Sequence, residues 1–294
     1  MRVAIMTALG FVPDRIMLSF QYRLKTGRKL NWKNPDRFTE KLQLYKLWAK
    51  KHPELNQCVD KFDVRSFVRG KGLSDILIPL ATEENAFLSP EEIDWEKLPD
   101  RFVLKDTLGG GGNSVIVCKD KSRFDVVSAK KVCLQWIKSK GKHPGRECVY
   151  DGRKHRIIVE SYLENDTPEL GLVDYKFFCF NGVPKFLYVI TNRTLGVGAE
   201  FGIYDMNYNL LPYSRADELP MVHHAPKPKD FEEMKRIASV LSAGMPEVRI
   251  DLYSVGGKVY FGEMTFFDGS GYMTFTPDDF DFVMGKEMNI PKEK

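Results

Sequence analysis

A stretch near the C-terminal end of the chain, residues 248–267, constrains the fold more than any other. Apolar and polar residues alternate along it on both sides of Gly256-Gly257. Alternation around a glycine pair predicts two antiparallel strands joined by a tight turn. One face of the first strand is then apolar: Val248, Ile250 and Leu252. Arg249 and Asp251 project from the opposite face, which places a guanidinium beside a carboxylate.

The length of the turn decides whether Glu263 joins Asp251 on that face. A connection with an odd number of residues pairs Asp251 with Phe261 and Arg249 with Glu263, all on one side. A two-residue turn pairs Asp251 with Gly262 and sends Glu263 to the far side. In the odd register the two carboxylates lie roughly 7–8 Å apart at the backbone, near enough to hold one hard cation. An ordinary solvated hairpin face is the alternative interpretation.

We expect the odd register, because only that register places Arg249, Asp251 and Glu263 on the same face, where they can form one site. The opposite side of the hairpin should then be the more buried one: Val248, Ile250, Leu252, Tyr260 and Met264.

Four consecutive glycines, residues 109–112, lie between two short strand-like segments. Such a run costs conformational entropy, so it predicts a place where a bare backbone is needed. Its amide groups are suited to bind phosphate oxygens. The segment is no Walker loop, because Gly-Lys-Ser/Thr is missing and a strand follows in place of a helix. A mobile hairpin turn is the alternative.

Several motifs in this order resemble ATP-grasp enzymes. They are Asp60-Lys61, the glycine run behind Lys105, Arg-Ile-Asp-Leu-Tyr at 249–253 and Gly-Glu-Met-Thr-Phe at 262–266. The wording looks closest to the TupA-like ATP-grasp family, which is associated with teichuronopeptide and other surface-polymer biosynthesis. The resemblance covers roughly residues 30–285.

The resemblance implies an α+β protein with the ATP-grasp fold. A small lid subdomain, about residues 100–165, would cover a larger, mostly antiparallel sheet, with the nucleotide between them. We expect residues 1–58 to form a basic helical extension and residues 59–294 to form the ATP-grasp domain.

The resemblance also implies residue roles toward two cofactors, ATP and Mg²⁺. The phosphate-binding residues would be Lys61, Lys105, Lys176, Gly109, Gly110, Gly111, Gly112, Asn113 and Ser114. Glu160 and Leu163 would lie near the adenine, with Glu164 or Asp166 near the ribose. The metal ligands would be Asp251, Glu263 and Thr265. The family usually has Asn where Thr265 stands, which puts the number of metal ions in doubt. Arg249 and Lys176 would be catalytic, with Arg249 serving the oxyanion of acyl transfer.

For each of these residues a structural explanation stands beside the functional one. Lys61 is an ordinary surface lysine if taken alone. Without the neighbouring motifs, a buried strand end with a capping glutamate would be the preferred interpretation of Glu160. Arg193 follows a strand, where it meets either a substrate carboxylate or solvent.

The implied activity is ATP-dependent carboxylate–amine ligation through an acyl phosphate. The carboxylate would belong to a bacterial surface polysaccharide or its precursor, and the amine to an amino acid or peptide. Two alternatives are open: a phosphotransferase that acts on a sugar hydroxyl, and a nucleotide-binding protein without turnover. Nucleic acid is not an expected partner, because the positive charge is local.

That charge lies in the first 35 residues, which have a net charge of +6, whereas the whole chain has +4. Ile16, Met17, Phe20 and Leu24 are spaced to form one stripe of a basic amphipathic helix. The stripe suits either an anionic membrane surface or packing against the protein, and packing is the default.

Five cysteines without a Cys-x-x-Cys pair favour reduced thiols in a cytosolic protein. The apolar residues 3–12 are too few to span a bilayer, and no cleavage site is evident. We therefore expect a cytoplasmic protein, with peripheral contact to the inner face of the membrane left open.

Overall fold

The structure is a computed structural model that describes residues 9–83, 85–110, 114–138, 145–164, 166–194 and 198–291. The α-helices are α1 (Asp14–Thr26), α2 (Phe38–Ala49), α3 (Val64–Gly70), α4 (Val126–Lys138), α5 (Phe231–Ser242) and α6 (Phe280–Glu287). Short 3₁₀ helices cover Leu9–Phe11, Pro53–Cys58, Ser74–Ile76, Pro90–Glu92, Trp95–Lys97, Lys121–Arg123, Cys148–Tyr150, Pro168–Leu170 and Asp268–Gly271.

The strands form one large sheet and two smaller ones. They are β1 (Phe102–Asp106), β2 (Val115–Cys118), β3 (Ile157–Ser161), β4 (Asp174–Phe180), β5 (Val183–Thr194), β6 (Gly198–Tyr204), β7 (Ser214–Arg215), β8 (Leu219–Pro220), β9 (Glu247–Val255), β10 (Lys258–Thr265) and β11 (Phe275–Thr276). The large sheet has the order β10-β9-β4-β5-β6-β8, and only its β6/β8 contact is parallel. The order β2-β1-β3 forms an antiparallel three-stranded sheet. This is the predicted α+β architecture.

The large sheet is covered unequally on its two faces. On one face, α5 presents the apolar residues Phe231, Met234 and Ile237, all buried, against strand residues such as Phe177. Full burial of each such side chain is worth about 1.5–3 kcal/mol. On the other face, Phe38 of α2 packs edge-on against Phe178, with ring centroids 6.1 Å apart. Because α2 covers only that end of the face, the remaining end is left open for a site.

The three-stranded sheet has an apolar core of its own. Leu104 and Ile157 on its strands pack with Cys133 and Trp136 of α4. Helix α4 buries Ala129, Cys133 and Trp136. The division of the chain at residue 58 stays a prediction.

Helix α1 corrects one expectation from the sequence. Of the four residues predicted to share a packing stripe, only Met17 is buried, whereas Ile16, Phe20 and Leu24 are 61%, 56% and 71% exposed. Met17 lies about 100° around the helix from Ile16, so it belongs to a different face. Among the helices that the structure describes, none is both long and apolar enough to cross a bilayer.

Candidate active site

A cleft of about 720 Å³ lies between the three-stranded sheet and the open end of the large sheet. Basic side chains line it from both sides: Lys61, Lys105, Lys176, Arg193, Arg215 and Arg249. Carboxylates of the large sheet, Asp174, Asp251 and Glu263, line it together with Asp268 of the 3₁₀ segment Asp268–Gly271. Thr265, Gly109, Gly110 and Ser114 also line it. Most of the predicted phosphate and metal residues that the structure describes therefore meet in one cavity.

The β9–β10 turn differs from the one we expected. Val255 pairs directly with Lys258, so the turn has two residues, Gly256 and Gly257. Both have positive φ, 61° and 72°, which is the geometry of a type I′ hairpin turn and requires glycine-like freedom. The expected odd-residue connection is wrong.

Glu263 nevertheless lies on the face of Asp251, because a β-bulge interrupts β10 at Gly262. Phe261 pairs with Leu252 and Glu263 with Asp251, which leaves Gly262 as the extra residue. A side chain at Gly262 would place its Cβ 3.0 Å from the carbonyl oxygen of Asp251. The bulge thus needs glycine and returns the second half of β10 to the functional face.

The two-residue turn and the bulge together change the expected pairings, and the turn alone changes one expected core residue. Arg249 pairs with Thr265, not with Glu263, and Asp251 does not pair with Phe261. Tyr260 pairs with Tyr253 and is only half-buried, while Phe261 is buried in its place. The other members of the expected core face are buried: Val248, Ile250, Leu252 and Met264.

Arg249 orients the carboxylates of the site. Its Nε and Nη2 donate to the two oxygens of Asp251 at 2.7 and 2.8 Å, and Nη2 lies 3.4 Å from Oε1 of Glu263. Its Nη1 donates to Asp268. Since the guanidinium is buried and engaged on every side, its observed function is to position these acids. Its expected action on an acyl oxyanion stays a prediction.

Lys176 occupies the strand position opposite Asp251. Its ammonium contacts the carboxylates of Asp251 and of Asp174, the latter at 2.7 Å. Arg193 also reaches Asp174, at 3.2 Å. One oxygen of Asp174, Oδ1, is buried without a hydrogen-bond partner among the described residues. We did not single out Asp174 from the sequence, although it shares the strand face of Lys176.

Lys61 and Lys105 approach from the side of the small sheet. Nζ of Lys61 donates to the carbonyl oxygen of Gly109 at 2.5 Å and lies 3.3 Å from Oε2 of Glu263. The Asp60 carboxylate accepts the backbone N–H groups of Phe62 and Asp63, which fixes the turn that carries Lys61. Lys105 pairs with Glu160 at 2.5 Å.

The glycine run is described only at its start. A Cβ at Gly109 would lie 2.1 Å from the Cβ of Ser114, so close approach of the two loop ends requires glycine there. Asp106 holds this end of the loop: its carboxylate accepts from the N–H of Leu108 at 3.1 Å and contacts Nδ1 of His155 at 2.8 Å. Gly111, Gly112 and Asn113 lie outside the described residues.

The residues expected near adenine and ribose lie elsewhere than the cavity wall. Glu160 is buried against Lys105 and Leu163 is half-buried, and neither lines the cavity. Glu164 is exposed beside Arg101, and Asp166 accepts the N–H of Gly256 at 2.6 Å. Their roles toward a nucleotide stay predictions.

The segment Asp268–Gly271 forms part of the cleft wall and is held by several contacts. Arg249 and Arg215 both pair with Asp268, and the carbonyl oxygen of Ser270 accepts from Lys46 at 2.9 Å. Three consecutive residues, 269–271, have left-handed backbone angles. Asp268 and Arg215 were missed, because they are far apart in sequence and only the fold brings them together.

The pKa values of the two opposed carboxylates are shifted in opposite directions. Burial alone would raise the pKa of Glu263, but the charges of Lys61, Lys176 and Arg249 outweigh it and hold that pKa at about 2. Burial raises the pKa of Asp251 above its ordinary value, although Arg249 and Lys176 oppose this. Asp251 is almost fully buried and also lies beside Asp174, which explains the opposite direction. An added cation would relieve this cost.

The oxygen atoms available at this site are of the type that a magnesium ion prefers as ligands. Asp251, Glu263 and the hydroxyl-bearing Thr265 offer hard oxygen donors on one strand face, and Mg²⁺ commonly uses one or two carboxylates with phosphates and water. The described residues contain no group of three or more histidine, cysteine or acidic residues arranged as a complete metal cage. Phosphate oxygens or water would complete the coordination of a magnesium ion held by these residues.

Comparisons with known proteins identify a family. A family model described as "TupA-like ATPgrasp" matches residues 40–289. Among solved structures, D-alanine-D-alanine ligase from Helicobacter pylori is 14% identical with a TM-score of 0.42, covering 81% of this chain and 60% of that one. The ADP complex of N5-carboxyaminoimidazole ribonucleotide synthetase is 14% identical with a TM-score of 0.45 and coverages of 86% and 57%.

An L-amino acid ligase from Bacillus licheniformis is 13% identical with a TM-score of 0.42 and coverages of 73% and 42%. The chain thus spans about half the length of these proteins. At this identity and overlap the likeness carries no argument about substrate or reaction. No curated protein matches the chain.

The bulge generates a stability prediction. Gly262→Ala should lower the free energy of unfolding by about 1–3 kcal/mol, because the added Cβ meets the backbone of Asp251 and the bulge must shift. Gly70→Ala is the matched control, since a Cβ there meets nothing within 4 Å. Urea unfolding of both variants measures the difference. Equal stability of the two variants would show that the bulge tolerates a side chain.

The depressed pKa of Glu263 generates a pH prediction. A carboxyl group with a folded pKa of about 2 and an ordinary pKa of 4.5 stabilises the fold fully above pH 4.5. That contribution is lost as the pH falls from 4.5 toward 2. Wild type should therefore lose more stability than Glu263→Gln when the pH is lowered from about 5 to about 3. An equal loss of unfolding free energy in wild type and in Glu263→Gln would contradict this assignment.

Proposed function

The chain belongs to the TupA-like ATP-grasp family, and from that premise we propose that it is an ATP-dependent carboxylate–amine ligase. The single observation that supports the proposal most strongly is the composition of the cleft. Lys61, in the turn before α3, contacts Glu263, and Lys176 of β4 contacts Asp251, so two ammonium groups from different segments converge on the opposed carboxylates. The lysine ammonium groups can bind the phosphates of a nucleoside triphosphate, and the carboxylates can bind its metal ion.

The proposed reaction has two steps. A substrate carboxylate oxygen attacks the γ-phosphorus, the bond to the β-phosphate oxygen breaks, and ADP leaves. An amine nitrogen then attacks the acyl carbon, loses a proton, and displaces inorganic phosphate with the electrons of the broken C–O bond. The product is an amide. Mg²⁺, when bound, supplies charge neutralisation and orientation of the terminal phosphate.

The residues of the chain divide this work. Lys61 and Lys105 extend ammonium groups toward the space between the sheets, where each is a point charge for phosphate oxygens. Arg249 and Lys176 hold Asp251, and Lys61 and Arg249 contact Glu263, so both carboxylates are positioned before the substrate arrives. Arg193, partly exposed beside Asp174, is the group best placed to meet a substrate carboxylate.

We propose that the amine donor is an amino acid or peptide and that the carboxylate belongs to a bacterial surface polysaccharide or its precursor. This finer proposal is supported by the family resemblance. The geometry is compatible with it, because the wall of the cleft beyond the lysines combines aromatic and charged groups: Tyr188, Phe201, Arg215 and Glu218. Such a surface suits a sugar acid.

A hydroxylamine-trapping assay tests the proposed chemistry. Purified protein, Mg-ATP and hydroxylamine are incubated with uronic-acid nucleotides or oligosaccharides. The proposal predicts hydroxamate formation with ADP release, because an acyl phosphate is intercepted by hydroxylamine. A phosphorylated sugar without hydroxamate would identify a phosphotransferase. Absence of any Mg-ATP binding would contradict both enzymatic interpretations.

Nucleotide affinity should depend on Lys105. Lys105→Met removes a charge-assisted phosphate contact and should weaken Mg-ATP binding by about 1.5–3 kcal/mol. Lys97→Met is the control, because Lys97 lies in the same part of the chain but is 86% exposed and pairs with the surface residue Asp94. Calorimetry measures both affinities, with thermal unfolding as a check of the fold. Equal affinity of wild type and Lys105→Met would remove Lys105 from the nucleotide site.

Turnover should depend on Glu263. Glu263→Gln keeps the size of the side chain but removes a charge that a metal ligand needs, so ADP release should fall by at least about a hundredfold. Much of the nucleotide affinity should remain, because the lysines are intact. Glu232→Gln, on the exposed face of α5, is the control. A fully active Glu263→Gln variant would refute the metal assignment.

A further inference from the structure

Helix α1 presents an apolar stripe to solvent. We define the N-terminal stripe as Ile16, Phe20 and Leu24, which follow one another at intervals of one helical turn and are each more than half exposed. Phe11, just before the helix, is 83% exposed. Such a concentration of large apolar side chains on one helix face is unusual for a surface without a partner.

The opposite face of α1 packs against the rest of the protein. Leu18 and Tyr22 are fully buried. The hydroxyl of Tyr22 lies 3.0 Å from that of Thr39, and the hydroxyl of Tyr272 donates to Gln21 at 2.7 Å. The helix therefore cannot rotate to bury the N-terminal stripe without breaking these contacts. The stripe is a fixed feature of the surface.

The stripe lies within a basic surface. Arg15 and Arg23 on the helix are exposed, as are Lys29 and Lys33 after it. The first 35 residues contain a single acid, Asp14, and it pairs with Lys50 at 2.8 Å. We define the basic rim as the exposed basic residues of this segment, Arg15, Arg23, Lys29 and Lys33; the one acid of the segment, Asp14, is already paired.

We propose that the N-terminal stripe and its basic rim dock the protein on an anionic phospholipid surface. Apolar side chains enter the interface while arginines and lysines remain at the headgroups, and stable binding needs both contributions. A second copy of the chain fits less well, because face-to-face contact would bring together two segments that each have a net charge of +6. Nucleic acid would use the charges but not the apolar centre.

Docking would act on the same packed unit that carries the cleft. Tyr272, which α1 contacts, directly follows the Asp268–Gly271 wall of the cleft. The ammonium group of Lys25 also lies over the ring of Tyr272, 4.3 Å from its centroid. The proposal does not rest on the proposed ligase activity, because its test measures binding alone.

Vesicle sedimentation of the full chain tests the proposal. The probes are vesicles of phosphatidylglycerol mixed with phosphatidylcholine and vesicles of phosphatidylcholine alone. The variant is Ile16→Ser/Phe20→Ser/Leu24→Ser. Its matched control replaces three exposed apolar residues elsewhere, Val127→Ser/Leu134→Ser/Val222→Ser. Thermal unfolding verifies that both triple variants keep their fold, as expected from the exposure of the replaced side chains.

Wild type and the control variant should sediment with the anionic vesicles, and added salt should weaken this binding. The stripe variant should partition at least about tenfold more weakly. Neutral vesicles should bind wild type at least about tenfold more weakly as well. Undiminished binding of the stripe variant, or no binding of wild type to anionic vesicles, would overturn the proposal. So would a wild-type dimer in sedimentation velocity that the stripe variant abolishes, since the stripe would then hold a second copy.

Discussion

Two carboxylates on neighbouring strands, Asp251 directly opposite Glu263, impose the central constraint on this structure. Like charges at that position repel, and buried ones also lose hydration, so each must be compensated. Arg249 and Lys176 compensate Asp251 from the sheet itself, and Lys61 reaches Glu263 from the preceding segment. The arrangement ties the large sheet to the segment that precedes the small one.

Much of this arrangement could be predicted from the sequence, because alternation along a strand fixes the side to which each residue points. The alternation predicted that Arg249 and Asp251 share a face and that Ile250 and Leu252 enter the core. The turn could not be predicted by the same argument, which assumes an unbroken ladder. Gly262 breaks the ladder, and an isolated glycine within a strand is the signal for that event.

Other parts of the structure depend on contacts between distant segments. Asp174 is two residues from Lys176, so strand alternation is sufficient to find it. Asp268 and Arg215 are distant in sequence and meet through tertiary structure, so no local sequence pattern predicts their contact. Helix α1 has two apolar faces, and either could pack against the rest of the protein. One contains Ile16 and Phe20, and the other contains Leu18 and Tyr22. Helical periodicity cannot decide between them, because the choice depends on the partners Thr39 and Tyr272.

The account holds that Asp251 and Glu263 exist as a pair to bind the metal ion that accompanies ATP. The most direct test is calorimetric titration of ATP with and without Mg²⁺, in wild type and in the double variant Asp251→Asn/Glu263→Gln. The account predicts that Mg²⁺ strengthens ATP binding to wild type at least about tenfold and leaves binding to the folded double variant nearly unchanged. An equal effect of Mg²⁺ on both proteins would show that the metal binds elsewhere and would contradict the account.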